Sequence, residues 1–308
     1  ATPICADVEA DTWLIDPKSI AKHITKKTKA IIPVHLFGHP CDMDPILTIA
    51  KKHNLIIIED CAEAQGAKYK NTLVGTIGDI GCFSFFSNKV ITTGEGGMVC
   101  TNSGSLADKI KVLRDHGMNP KKRYWHDVAG FNFRMTNLQA AVGVAQMERV
   151  EKFLERRRQI GERYNFHLGK IKGIILPPNK DWADTVYWIY SLLVDEKKTD
   201  IKRDELCARL TSEGIENRPF FFPLHIQPPY FQDNEFFEAE RISSQGISLP
   251  SGNEITDEST TNKFNRGSSD NNMKPKEDDG SSLDGNEGEG EDEGEDDNGL
   301  SGGNDNTL

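Results

Sequence analysis

The first half of the chain alternates short β-branched segments with stretches of helical periodicity, and this alternation constrains the fold more than any other feature. The segments KAIIPVHLFG (29–38) and LIIIED (55–60) are predicted strands, with a predicted helix over 44–53 between them. Two further strands are predicted over 80–86 and 97–101. Because strands that alternate with helices form a mostly parallel sheet flanked by helices, the predicted fold class is α/β.

Two helices are predicted to follow this sheet. The first covers 103–115, and the second is a long helix over 135–168 that begins at a capping residue, Thr136 or Asn137. A helix of that length is able to link two lobes of a protein.

A smaller C-terminal α+β lobe is predicted after the long helix. Its signals are a strand over 186–194 and a helix over 203–214 that ends at Gly214. We therefore predict a large domain over residues 1–150 and a small C-terminal domain over residues 151–255.

The remaining residues, 256–308, are predicted to be a disordered acidic tail. Residues 261–308 hold 14 Asp or Glu and four Lys or Arg, so they carry −10 of the total charge of −11. Such a segment buries too little apolar surface to offset the entropy of ordering it. The rest of the chain is nearly neutral, which gives no electrostatic reason to expect a nucleic-acid partner.

The cysteines and the hydropathy pattern favour a cytoplasmic location. The six cysteines show no metal-ligand spacing, so no metal site is predicted and buried free thiols are expected. No segment approaches the roughly 18 apolar residues of a membrane span, and the N-terminus has no signal pattern. The expectation is a soluble cytoplasmic protein without a membrane partner.

The chain begins at Ala1, within predicted ordered structure, which suggests that an N-terminal segment is missing.

Three polar residues follow or end the predicted strands. Asp60 lies at the end of an apolar strand, Ser84 lies near the end of another, and Lys89 lies in the glycine-rich loop that follows. Two of them have an ordinary alternative when taken alone: Asp60 as a capping carboxylate and Lys89 as a surface lysine. Together they favour a ligand site at the carboxyl edge of a parallel sheet.

These residue types suit pyridoxal 5′-phosphate (PLP) chemistry. A carboxylate such as Asp60 keeps the pyridine nitrogen protonated, so that the ring accepts electrons. An amine such as Lys89 holds the aldehyde as an imine and carries protons as a general acid and base. Hydroxyls and backbone amides, including Ser84, hold the phosphate.

Five ordered blocks carry a resemblance to a known family: PVHLFGHPCDMDPI, IIEDCAEAQGA, GDIGCFSFFSNKVITTGEGGMV, LRDHGMNPKKRYWHDVAGFNFRMTNLQAAVGVAQMERV and RPFFFPLHIQPPY. Over residues 1–250 the chain resembles the sugar-nucleotide aminotransferases of the DegT/StrS type, PLP enzymes of fold type I, and in particular their perosamine-synthase-like branch. The large domain would then bind PLP.

The resemblance implies a role for each matching residue. Asp60 would pair with the pyridine nitrogen, Ser84 would bind the phosphate, and Lys89 would form the bond to the cofactor. Glu63 takes the place where many relatives have glutamine near the phenolic oxygen of the cofactor. Asn132 matches an asparagine supplied to the phosphate across a dimer interface, which implies a homodimer with shared active sites.

Two histidines are candidate substrate contacts. One interpretation of His35, in VHLFG, and His225, in PLHIQP, is a position near the substrate, but structural histidines at strand or loop ends explain both equally well. No functional role is assigned to Arg134, because a structural ion pair explains it equally well. The TGEGG run precedes a strand and does not open a helix, so it is not a dinucleotide fingerprint.

The resemblance implies transfer of an amino group from glutamate to a nucleotide-linked 4-keto-6-deoxy sugar. Two alternatives are open. One is a PLP-dependent sugar dehydratase of the same fold, although such enzymes typically replace the lysine with histidine. The other is a truncated, non-catalytic binding protein, because relatives carry a further N-terminal segment that contacts the cofactor.

Overall fold

A computed structural model describes residues 1–256, which contain eight α-helices and eleven β-strands. The helices are Pro17–His23 (α1), Met43–His53 (α2), Gly104–Arg114 (α3), Asn137–Met147 (α4), Val150–Leu168 (α5), Glu196–Thr199 (α6), Arg203–Ser212 (α7) and Phe237–Gln245 (α8). The strands are Ala30–Ile31 (β1), Ile56–Asp60 (β2), Lys68–Tyr69 (β3), Thr72–Leu73 (β4), Ile80–Ser84 (β5), Gly97–Cys100 (β6), Ile174–Ile175 (β7), Ala183–Asp184 (β8), Tyr190–Val194 (β9), Arg218–Pro219 (β10) and Gly246–Leu249 (β11). None of the described helices is long and apolar enough to cross a membrane.

The first sheet has the strand order β1-β2-β5-β6. Strands β1, β2 and β5 run parallel, and β6 pairs antiparallel at the edge. The predicted mostly parallel sheet is therefore confirmed. The strand predicted over 29–38 is shorter than expected, because Pro33 has no N–H for the ladder and Phe37 adopts a left-handed φ of 56°.

A second sheet, of order β10-β11-β9-β7, is antiparallel throughout and lies in the C-terminal half. All five residues of β9 are buried, and Ile160 and Tyr164 of α5 belong to the same apolar cluster. The predicted C-terminal α+β arrangement is thus present. A third small sheet, β4-β3-β8, joins strands from both sides of residue 150, and the domain boundary there stays a prediction. The predicted acidic tail lies outside the described residues, apart from Thr256.

The single long helix predicted over 135–168 is wrong. The structure has two helices, α4 and α5, because Arg149 takes the non-helical angles φ −116° and ψ 4°. The break separates a surface helix without buried residues from one that packs on the second sheet. The predicted start is confirmed, since Thr136 forms a reciprocal capping box with Gln139.

The six cysteines are free thiols, as the sequence predicts, but only Cys41 and Cys61 are fully buried. Burial is the main cause that raises the pKa of both thiols well above the ordinary value. These two side chains are therefore unreactive parts of the core.

A buried carboxylate joins the parallel strands to the turn before β5. Glu59 is fully buried and accepts hydrogen bonds from the backbone amides of Gly75, Ile77 and Gly78 at 2.6–2.8 Å and from His35 Nε2 at 3.1 Å. Burial by itself raises the pKa of Glu59, but the hydrogen bonds from His35, Gly78 and Gly75 outweigh it and lower the net pKa. The ionised carboxylate therefore stabilises the folded state.

We expect Glu59→Gln to lower the free energy of unfolding by about 2 to 4 kcal/mol, because an amide cannot accept all four hydrogen bonds. Since the folded pKa lies below the ordinary value of 4.5, this stabilisation is complete above pH 4.5 and is lost as the pH falls through the folded pKa. Urea unfolding at several pH values measures it. The exposed Glu155→Gln is the control, and equal stability of the two variants would contradict the role of Glu59.

Candidate active site

The carboxyl edge of the parallel sheet gathers two of the predicted site residues. In the register of β2 and β5, Asp60 lies opposite Cys82, so that Ser84 ends its strand two residues further on. Both residues are half-buried. This edge is where open α/β sheets bind their ligands.

Asp60 has one carboxylate oxygen in use. Its Oδ1 accepts a hydrogen bond from the Ala62 amide at 3.0 Å, and no hydrogen bond among residues 1–256 uses Oδ2. The carboxylate is thereby oriented while one oxygen is left for a ligand with an N–H group.

Gln65 orders the loop that carries Lys89. Its side-chain amide donates to the Ser84 carbonyl, and its oxygen accepts from the Ile91 amide at 2.9 Å. Val90 and Ile91 are buried directly after the lysine. Sequence reasoning missed Gln65, although its position in IIEDCAEAQGA, five residues after Asp60, was an available signal.

The Lys89 amine lies in a largely buried environment. Its Nζ is 3.9 Å from Glu63 Oε1 and 3.8 Å from the centroid of the Trp188 ring. Burial is the main cause that lowers the pKa of Lys89, and the carboxylates of Glu63 and Asp60 offset it only in part. The structure thus brings Asp60, Glu63 and Lys89 into one electrostatic cluster.

Glu63 is held by a backbone amide. Its Oε2 accepts a hydrogen bond from the Phe37 amide at 2.8 Å, and its side chain is mostly buried. Burial raises the pKa of Glu63 to about 7, despite the opposing effects of the Phe37 amide and the Lys89 charge. The protonation state of this carboxyl group therefore changes near neutral pH.

Ser84 is half-buried at the sheet edge, whereas Asn132 lies on the protein surface. The Ser84 hydroxyl accepts a long hydrogen bond, 3.3 Å, from the Phe86 amide, which leaves its own proton available. Asn132 is exposed, and its backbone pairs with Asp115. None of the contacts described for residues 1–256 joins Asn132 to the cluster around Lys89.

The two predicted substrate histidines lie in the protein interior. His35 is fully buried; its Nδ1 accepts from the Cys41 amide at 2.9 Å, so Nε2 carries the proton and donates to Glu59. His225 is buried beside Phe236 and contacts Glu240 at 3.0 Å. These contacts favour the structural alternative for both histidines, and their role as substrate contacts stays a prediction.

His35, Glu59 and Cys61 also lie close enough to share a metal ion, with ligand atoms within 4.8 Å of one another. However, both ring nitrogens of His35 and both oxygens of Glu59 already form hydrogen bonds. The Cys61 thiol also has a raised pKa, which disfavours the thiolate that metals bind. This cluster is part of the core hydrogen-bond network.

An α/β fold with an acid, a hydroxyl and a buried lysine at the carboxyl edge of its parallel sheet is typical of a PLP enzyme of fold type I. The chain belongs to the DegT/DnrJ/EryC1/StrS aminotransferase family, whose model matches residues 1–264. Enzymes of this family depend on PLP. The predicted fold type and the predicted enzyme class are therefore confirmed.

Individual relatives agree with this assignment. The chain is 44% identical to the GDP-perosamine synthase of Caulobacter vibrioides over 83% of its own length and 70% of the relative. It is 45% identical to the GDP-perosamine synthase of Escherichia coli O157:H7 over 84% of its own length and 70% of the relative. The crystal structure of DesI in the presence of its TDP-sugar product has a TM-score of 0.79 at 29% identity and covers 86% of this chain and 68% of DesI.

We expect Glu63→Gln to remove a pH dependence of stability. The pKa of Glu63 in the folded state, about 7, lies above the ordinary 4.5, so its protonated form favours folding below pH 4.5 and this contribution is lost as the pH rises through 7. Relative to Glu63→Gln, the unfolding free energy of the wild type should fall by about 1 to 3 kcal/mol across that range.

Urea unfolding of both proteins at several pH values measures this difference. Glu95→Gln, an exposed change in the loop after Lys89, is the matched control and should show the pH profile of the wild type. Parallel profiles for the wild type and Glu63→Gln would contradict the raised pKa.

Proposed function

We propose that this protein is a PLP-dependent aminotransferase that moves an amino group from glutamate to a nucleotide-linked 4-keto-6-deoxy sugar. The observation that carries the proposal is that Asp60, with one oxygen left for a ligand, and a largely buried Lys89 amine of lowered pKa belong to one electrostatic cluster at the sheet edge. Relatives named GDP-perosamine synthase and a structural neighbour with a TDP-sugar product support a nucleotide-linked sugar as the substrate.

The side chains of the candidate site have the chemistry that PLP binding requires. Lys89 would hold the cofactor aldehyde, the free oxygen of Asp60 would accept from the protonated pyridine nitrogen, and the Ser84 hydroxyl would donate to the phosphate. Asn132 of a second subunit would complete the phosphate site. When bound, PLP supplies an electron sink for the electrons released as a proton leaves carbon.

The chain itself supplies proton transfer and orientation. With a pKa lowered by burial, Lys89 exchanges its proton more readily near neutral pH than an exposed lysine does. The adjacent Glu63 is half-protonated at about pH 7, so it can present either a hydrogen-bond donor or a negative charge to the cluster. The Phe37 amide fixes the position of that carboxyl group.

Lys89 also weighs against the two alternatives. A sugar dehydratase of this fold would typically have histidine at this position, and a non-catalytic binding protein has no need of a buried amine beside two carboxyl groups. The free thiols agree with the proposed cytoplasmic location, because a reducing compartment preserves them.

We expect purified protein incubated with PLP and reduced with borohydride to carry a pyridoxyl group on Lys89, detected by mass spectrometry of its peptide. Lys89→Arg should lose the modification, while Lys122→Arg, a change at a lysine over an exposed tryptophan ring, should keep it. Addition of glutamate before borohydride should reduce the yield, because the amino group moves to the cofactor. Absence of modified Lys89 in the wild type would refute the proposal.

Asp60→Asn should lower kcat for glutamate-dependent amino transfer by about 10²- to 10⁴-fold, because an amide cannot keep the pyridine nitrogen protonated. The KM for the sugar should change little, since Asp60 is not assigned to sugar binding. Steady-state kinetics with a nucleotide-linked 4-keto sugar measure both. A loss confined to KM would assign Asp60 to the substrate instead.

We propose that two copies of the chain form a homodimer and contact each other through the surface of α4 and the segment before it. Helix α4 has no buried residue, Leu138 is 83% exposed and Phe133 is 72% exposed, while Phe131 stacks on Phe133 in the open. An apolar surface of this kind is typical of a protein interface. A second copy of the chain bound here would bring Asn132 to the interface.

We expect Leu138→Asp to weaken dimerisation at least about tenfold, because the introduced charge would be buried between the subunits. Sedimentation velocity over a range of concentrations measures the dissociation constant. Leu73→Asp, at an exposed leucine of β4, is the matched control and should leave it unchanged. A monomeric wild type would refute the proposed dimer.

A further inference from the structure

Trp188 makes two contacts with the loop that carries the reactive lysine. Its indole Nε1–H donates a hydrogen bond to the Asn88 carbonyl at 2.9 Å, and the Lys89 Nζ lies 3.8 Å from the ring centroid. Trp188 is 4% exposed. Trp188 lies two residues before the start of β9 and is distant from Lys89 in sequence, so only the fold brings the two residues together.

The position of the ring is itself fixed by the core. The Trp188 carbonyl accepts a hydrogen bond from the buried Arg157 of α5. Two residues before it, Val186 is fully buried and packs so closely against Gly38 that a side chain there would clash with Val186 Cγ2 and the Trp188 amide nitrogen. The lysine therefore approaches a rigid aromatic surface.

The groups that face Lys89 differ in how they depend on pH. Glu63 is 3.9 Å away and titrates near pH 7, and Asp60 contributes a further carboxylate. The Trp188 ring does not titrate, and the negative potential of its face attracts an ammonium group at every pH. The attraction between the ring face and the amine therefore persists when Glu63 is protonated, in addition to that of Asp60.

We propose that Trp188 is a positioning residue for Lys89: its indole N–H fixes the backbone beside the lysine, and its ring face holds the free ammonium group at the cofactor site. This inference rests on the proposed function only in taking Lys89 as the reacting amine. The contact with the ring is testable without cofactor.

The first test changes the electrostatics of the ring and keeps its shape. The protein is produced with ordinary, monofluorinated or trifluorinated tryptophan, since fluorine withdraws electrons from the ring face. Competitive labelling with acetic anhydride across a pH range, read by mass spectrometry of the Lys89 peptide, gives the pKa of this amine. We expect the pKa of Lys89 to fall stepwise, by about 0.5 to 1 pH unit in total.

Two comparisons isolate Trp188. In Trp188→Phe, fluorination of the three remaining tryptophans should leave the pKa of Lys89 unchanged. Lys122, which lies 3.7 Å over the exposed Trp125 ring, should respond less than Lys89 in the same digests because water screens it. An identical pKa of Lys89 in all three wild-type preparations would overturn the ring contact.

The second test concerns the indole N–H. We expect Trp188→Phe to slow borohydride-trapped capture of PLP by Lys89 about three- to tenfold, because the loop loses its anchor at Asn88. Trp182→Phe is the matched control: its indole contacts His39 and Tyr69 and should leave the rate unchanged. Capture by Trp188→Phe at the wild-type rate would overturn the anchoring role. If the wild type captures no PLP, the proposed function fails while the labelling series still decides the ring contact.

Discussion

The buried carboxylate of Glu59 is the interaction on which the arrangement of the parallel strands depends. It binds the turn before β5 through three amides and the segment after β1 through His35, so one side chain of β2 holds the chain on both sides of that strand. Successive side chains of a strand point to opposite faces. The next residue, Asp60, therefore leaves the core and reaches the carboxyl edge of the sheet with its orientation already set.

From this edge, the site is built by groups that order one another. Gln65 ties the end of β5 to the loop of Lys89, and the Phe37 amide fixes Glu63. The amine and the carboxyl group then share a poorly solvated space, in which burial moves both pKa values towards neutrality. Titratable groups whose pKa values are shifted in this way by burial are candidates for proton transfer at neutral pH.

The parts predicted from the sequence are those whose signals are local. The alternation of apolar strands and helices predicted the parallel sheet, and the short block from Asp60 to Lys89 predicted which residues meet at its edge. The capping residue Thr136 was also found from its own neighbourhood. The sequence did not predict the helix break at Arg149, because α4 and α5 have a continuous helical pattern. The break depends on the packing of α5 on the second sheet.

What the sequence by itself determined was the fold class, the family and the identity of the candidate acid and amine, because these depend on periodicity and on motifs a few residues long. The tertiary structure decided their environment. It placed His35 and His225 in the interior, gave Glu63 its raised pKa, and set Trp188 against Lys89. Desolvation and contacts between distant segments arise only when the chain has folded, so no local pattern encodes them.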